Sequence, residues 1–484
     1  MHPHISTLDI SILAAYLLVV LGIGILAGRG RRDLVGYVLA GKDMPWWALL
    51  GSIVATETST ATFLSVPGIA FNPGGDLRFL QLALGFIIGR CLVAVWLLPS
   101  YFRGEILSAY EVLEIRFGVA AKRTASLLFL VARTLGDGLR LFLAALALEA
   151  AFGISLPLSV AVISGVTVVY TLFGGMRSVV WNDCLQFVVY IAGGLAALAI
   201  MVGRLPGGSA QLWEFAVAND KLRWFSGGWD WSDPYTIWAG LIGGACLSLS
   251  THGTDQMMVQ RYLAARSQRD AAKALVLSGL VVFVQFLLFL GIGVALACFF
   301  AQYPAAGTIA SGDQAFAVFI VGQMPYGLVG LTLAAVFAAV MSTLASSLNS
   351  SAAVAVNDFG PPPGSAATPQ QRVRWCQAAT VVFGVLQVAV ALAARYYSQS
   401  VVNDALAIAG FVGGLLLGVF FLGLFAPRVG QGGVLVGMLG GAIAVAAVKF
   451  GTSVAWPWFT VVGFAVTYGL GWLSSTVGLG RRPG

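Results

Sequence analysis

Apolar runs of about twenty residues recur from one end of this chain to the other, separated by short polar or glycine-containing stretches. Each is long enough to cross a hydrocarbon core about 30 Å thick. The pattern predicts about thirteen membrane helices, near 8–28, 46–70, 79–100, 124–150, 156–173, 179–203, 236–258, 273–300, 323–356, 376–396, 402–425, 431–449 and 455–477. A barrel would show short alternating segments instead. The first run keeps Asp9 near its start and has neither a basic leading stretch nor an obvious cleavage site. It reads as a retained helix, not a signal peptide.

Composition agrees. Of 484 residues, 58% are hydrophobic and 10% charged, against about 25% charged in soluble domains. The net charge of +7 sits mostly on one set of loops. With the N-terminus outside, inner loops receive Arg29, Arg31, Arg32, Lys42, Arg103, Arg116, Lys122, Arg123 and Arg177. They also receive Arg261, Arg266, Arg269, Lys273, Arg372, Arg374, Arg428, Arg481 and Arg482. Outer loops keep Arg78, Arg204, Lys221, Arg223, Arg395 and Lys449. The positive-inside rule then predicts an outside N-terminus and an inside C-terminus. No basic stripe on a soluble face supports nucleic-acid binding. The scattered cysteines and His2, His4 and His252 offer neither a disulfide framework nor a transition-metal spacing. No nucleophile–base pair suggests an enzyme. The Trp-rich outer loop at about 204–235 suits an interfacial cap.

Polar groups interrupt the apolar runs in four places, and intramembrane polar groups usually line a pathway or pair with one another. "GSIVATETSTATFLSVPG" (51–68) places Thr56, Glu57, Thr58, Ser59, Thr60 and Thr62 mid-span. Either the helix breaks there and frees carbonyls for a cation, or its hydroxyls bond back to the preceding turn. "AAVMSTLASSLNSS" (338–351) sets Ala339, Ser342, Thr343, Ser346 and Ser350 on one helix face. That face is either an oxygen-donor site for a hard cation or a close-packing surface of small residues. "FGGMRSVVWNDCLQF" (173–187) brings Asp183 just inside a span, as a cation or base partner or as a helix cap. "GGACLSLSTHGTDQMMVQRYLAARS" (243–267) is either unwound or simply ends before a basic loop. The two interrupted spans lie five apart, which is the pointer to an inverted-repeat transporter with a midplane site.

In this order, the four segments resemble the sodium:solute symporter family. "FGGMRSVVWNDCLQ" is similar to its GG-x-x-(A/S)-V-x-x-(T/N)-D-x-x-Q signature, and "GTDQMMVQRYLAARS" to its D-Q-x-x-V-Q-R motif. "AAVMSTLASSLNSSAAV" resembles its A-A-x-x-S-(S/T) segment, and "WWALLGSIVATETSTATFLSVPG" its first core helix. The resemblance implies an all-α membrane protein of LeuT-type fold. Residues 1–45 would form a leading helix and inner loop, 46–425 a ten-helix core of five-plus-five inverted repeat, and 426–484 two trailing helices and a short tail. It implies solute import coupled to sodium by alternating access, with sodium as the coupling ion and no bound cofactor. Family sodium ligands fall on the carbonyls of Ala55, Thr58 and Ala339 and the hydroxyls of Ser342 and Thr343. A second sodium, found in some members, falls on Asp183 with Ser346, Ser342 or Thr343.

In this fold the solute sits between the broken helices, where Ser59, Thr62, Phe79, Gln81, Arg133, Asp255, Gln256 and Gln285 are the candidate contacts. Arg133 and Arg140 can bind a carboxylate or pair internally with Asp137 or Glu57. A free arginine favours an anionic solute, and internal pairing favours a neutral sugar or polyol. Glu57 departs from the family pattern and keeps proton coupling open as an alternative. A transporter-like sensor is the other alternative, although the chain ends at "GLGRRPG" without a signalling domain. The expected setting is the inner cell membrane, with the protein acting as a monomer and partnering sodium, a small organic solute and lipid.

Overall fold

In a computed structural model of the chain, the described residues are 6–28, 33–104, 106–304, 309, 312–361, 367–397 and 401–476. Outside them lie His2, His4, Arg29, Arg31, Arg32, Arg481, Arg482 and the terminal "GLGRRPG". The principal helices are α1 (Thr7–Ala27), α2 (Trp46–Glu57), α3 (Val66–Phe71), α4 (Leu80–Leu92) and α5 (Val119–Phe152). Then come α6 (Leu156–Arg204), α7 (Ala245–Thr254), α8 (Gln256–Leu263), α9 (Gln268–Gln302) and α10 (Gly312–Gln323). The chain closes with α11 (Leu328–Phe359), α12 (Pro369–Tyr397), α13 (Val401–Phe425), α14 (Gln431–Gly451) and α15 (Pro457–Thr476). Each expected run overlaps helix, with breaks inside 46–70 and 236–258. Among the described residues, 8 helices are long and apolar enough to cross a membrane, or 9 if α2 and its bent continuation form one span.

The two runs expected at 156–173 and 179–203 form two helices that meet end to end at a kink, labelled together as α6. Laid straight it would reach roughly 74 Å, far more than a bilayer core is thick. It turns back at Gly175, whose φ of 53° and ψ of −152° suit glycine alone. A Cβ there would also meet the Tyr37 carbonyl oxygen at 2.4 Å.

The centre of the molecule is α11. Of its most apolar window 89% is buried, against 17% for α1. It packs on α6, α12, α5 and α1. This placement explains how a membrane helix carries so many hydroxyls: they face other helices and not lipid. The leading helix is fastened to it by Asp9, whose Oδ1 accepts the Gly327 and Gly330 N–H groups at 2.7 Å each. Close backbone contact recurs between α4 and the π turn before α7, where a Cβ on Gly85 would lie 2.0 Å from the Gly240 carbonyl oxygen. Trp229, Trp231, Trp238 and Trp458 pack edge to face and tilted on one another. The loop bearing three of them is tied down by Arg78, which pairs with Asp76 (2.7 Å) and Asp233 (2.9 Å).

Candidate functional site

The first interruption is a true break. α2 ends at Glu57 and the chain bends by 69° before helix resumes. Thr58 has φ −82° and ψ 87°. The Ser59 N–H, which a continued helix would give to the Ala55 carbonyl, goes instead to Glu57 O at 3.1 Å. The end of α2 therefore presents carbonyl oxygens to its surroundings. What stands beside them is α11: the Thr343 hydroxyl donates to Thr56 O at 3.1 Å and lies 3.3 Å from Ala339 O. The broken end of α2 thus meets the Ala339–Thr343 turn of α11. Ser342, one residue away, turns its hydroxyl to Asp183 Oδ1 at 2.5 Å.

Asp183 lies in α6, two turns past the kink, and is fully surrounded. Its Oδ2 accepts from Ser52 (2.5 Å), Thr56 (3.2 Å) and the Arg261 Nη2 (2.9 Å). Arg261 also donates to Ser346 Oγ at 2.5 Å, Ser52 Oγ at 2.8 Å, Met257 O at 2.5 Å and the Thr56 hydroxyl. Both side chains are 1% exposed. Arg261, expected among the inner-loop basic residues, points back into the protein. The reason is electrostatic: a carboxylate buried with no cation beside it costs several kcal/mol, and the guanidinium fork satisfies it along with the hydroxyls around it. Asp183 and Ser346, paired in the expectation of a second sodium, are joined here by that guanidinium.

Between the broken helices lies a cavity of about 460 Å³. Of the candidate solute contacts, Ser59, Thr62, Phe79, Arg133 and Asp255 line it. Gln81, Gln256 and Gln285 do not, because each amide is used to hold backbone or neighbouring side chains. Gln81 donates to Tyr235 O (2.7 Å) and accepts from Ser226 N (3.2 Å), pinning the loop before α7. Gln256 donates to Leu107 O (3.0 Å) and accepts from Ala109 N (2.7 Å), holding the segment before α5. Gln285 bonds Thr58 and Tyr190 behind the break.

The second break, between α7 and α8, is capped by Asp255, which accepts the Met257 N–H at 2.9 Å. Its other oxygen pairs with Arg133. Arg140 pairs with Asp137, one of the partners expected for it. Glu57 pairs with neither arginine: it takes Arg90, with His252 Nε2 at 3.7 Å. Sequence reasoning passed over Arg90, though it is the lone charged residue of the run at 79–100. A charge so placed must find a partner, and here it is fully buried against Glu57. Trp456, from the connection before α15 and beyond the expected 46–425 core, also lines the cavity.

Comparison with known proteins agrees with this geometry. The sodium/sialic acid symporter SiaT of Proteus mirabilis (strain HI4320) is 29% identical over 468 residues, covering 94% of this chain and 92% of that protein. The human sodium/iodide cotransporter is 30% identical over 451 residues, covering 92% of this chain and 69% of that one. A solved structure of a sodium-coupled sialic acid symporter, substrate-bound and outward-open, superposes with a TM-score of 0.90 at 27% identity over 99% of both chains. The nucleobase-cation-symport-1 family transporter Mhp1 shares the fold more distantly, with a TM-score of 0.58 at 15% identity, 93% of this chain and 96% of that one. The family model for sodium:solute symporters matches residues 37–441, and the chain belongs to the sodium:solute symporter family.

Proposed function

We propose that this symporter binds its coupling sodium between the carbonyls of Ala55, Thr58 and Ala339 and the hydroxyls of Ser342 and Thr343, and imports a small organic solute held in the adjoining cavity. The observation that carries this reading is the Thr343 hydroxyl seated on the Thr56 carbonyl at the broken end of α2. An ion there supplies the partner that a severed helix end lacks. It joins α2 to α11 and favours the arrangement in which the two touch. A ligand shifts an equilibrium by its differential affinity for two states, so sodium and solute become reciprocally coupled. Neutral oxygen donors suit an ion that must also be released inside. A second ion at Asp183 and Ser346 requires Arg261 to withdraw first.

The basic inner loops support an inner-membrane setting with the N-terminus outside. Among the relatives named above, the cargo is sialic acid or iodide; here it is read as a small organic molecule. The test is sodium binding to the purified protein, measured by calorimetry for wild type and Thr343→Ala. The variant is expected to need roughly ten times more sodium, on the scale of losing one contact of about 1.4 kcal/mol. Unchanged sodium affinity would remove Thr343 from the site.

A further inference from the structure

The charged groups at the cavity are not equally engaged. Arg133 gives both Nε and Nη2 to Asp255 and has Asp137 at 3.8 Å from its Nη1. Arg140 is held through Nη1 alone, by Asp137. Its Nε and Nη2 donate to no group among the described residues, and its side chain keeps 20% exposure where it lines the cavity. Asp137 is completely buried, so Arg140 is positioned from behind with part of its fork still open. That open edge can receive a carboxylate.

The wall carrying Arg140 belongs to α5, whose neighbours are α11, α12 and α13. Elsewhere on the cavity, Phe79 and Phe86 come from the α4 segment, which packs against α7 and α9, and Phe286 comes from α9, which packs against α2, α3, α4 and α6. Phe79 and Phe286 stack at 4.8 Å between ring centroids, with Phe86 at 6.2 Å from Phe286 and Tyr235 at 5.7 Å from Phe79. This continuous aromatic wall has a π face and a ring edge to offer a ligand, and few hydrogen bonds. Hydroxyls of Ser59, Thr62, Ser65, Ser250 and Thr251 line other parts of the cavity; a polyhydroxylated ring held on the aromatic wall would leave the hydroxyls on that side without partners, which is unfavourable once water is displaced.

We propose that Arg140 anchors the solute carboxylate and that the Phe79–Phe86–Phe286 wall receives an apolar ring, so that the cargo is an aromatic monocarboxylate and not a polyhydroxylated sugar acid. This rests on the symport reading given above. The probes are phenylacetate, its neutral isostere phenylacetamide, and N-acetylneuraminate, each tested by thermal stabilisation of the purified full chain in sodium and in potassium. Phenylacetate is expected to stabilise in sodium, with little effect from the other two. Arg140→Gln should raise the half-saturating phenylacetate concentration roughly ten-fold or more, the scale of a lost charge-assisted hydrogen bond. It should also erase the preference over phenylacetamide, and Arg140→Lys should restore part of it. Because Arg140→Gln strips Asp137 of a partner, the double variant Arg140→Gln/Asp137→Asn is measured alongside; it should lose the same discrimination while staying folded. Stabilisation by N-acetylneuraminate in preference to phenylacetate overturns the proposal, as does an undiminished preference in the double variant. Sodium binding on the same preparation separates the two readings. If it persists without a phenylacetate response, the aromatic-acid assignment alone falls; if sodium does not bind, the symport site falls.

Discussion

Asp183 and Arg261 show how a single residue's role at membrane depth depends on its partner. Four helices contribute to the cluster: Ser52 and Thr56 from α2, Asp183 from α6, Arg261 from α8, Ser342 and Ser346 from α11. Replacing Asp183 by Asn leaves a guanidinium buried without its counter-charge, a change that typically costs about 3–5 kcal/mol. Asp183→Asn should therefore lower the thermal unfolding temperature sharply. Adding Arg261→Met should recover much of the loss, since neither charge then remains buried alone. Equal losses in the single and double variants would show that the two residues do not act as a pair. The sequence marked Asp183 as an acid just inside a span, a cation or base partner or a helix cap, but did not show which partner it takes. Arg261 stands beside a basic loop in the chain, and only the turn at Asp255 carries it back toward Asp183. The same limit applies to Gln81, Gln256 and Gln285. An amide in an apolar run announces a polar contact, while the direction it faces is decided by helix rotation and by which backbone groups need a partner.

At the scale of elements the apolar runs carried most of the information. A membrane helix must satisfy every backbone group internally, so its length and ends are written in hydropathy. The break at Thr58–Ser59 was foreshadowed by its polar cluster, and the break at Asp255 by the weakened run before it. The boundary between the two halves of α6 was marked as well, because the Gly-Gly pair of "FGGM" reads as the end of a span. Gly175 decides it, and a substitution can test that. Gly175→Ala forces a Cβ into a backbone region open to glycine, which costs about 1–3 kcal/mol, before the contact with the Tyr37 carbonyl is counted. Gly165, in the same helix, has open space where its Cβ would go. Gly165→Ala should hold or raise the unfolding temperature, because alanine in a helix interior is favoured over glycine by about 0.5–1 kcal/mol. Melting curves of the two variants should thus move in opposite directions. A Gly175→Ala protein as stable as wild type would mean that the chain can turn between the halves of α6 in another way.

For the molecule as a whole, the question left by Glu57 is which ion drives the cycle. A carboxylate at the broken end of α2 can in principle take a proton in place of a nearby cation. The structure gives it a different occupation: Arg90, fully buried, neutralises Glu57 and ties the end of α2 to α4. Two further acids are likewise matched, Asp255 at the cavity with Arg133 and the buried Asp137 with Arg140. A step of transport that used any of these acids would first have to open its ion pair with an arginine. The carbonyl and hydroxyl oxygens at Ala55, Thr58, Ala339 and Thr343 carry no net charge, so an arriving cation breaks no ion pair. Sodium is thus the cheaper driver for this architecture. In proteoliposomes offered a labelled panel of carboxylates, sugars and amino acids, an inward sodium gradient should drive accumulation at equal pH on both sides. An inward proton gradient without sodium should not. Accumulation under the proton gradient alone would place Glu57 or another cavity acid at the centre of coupling and remove sodium from it.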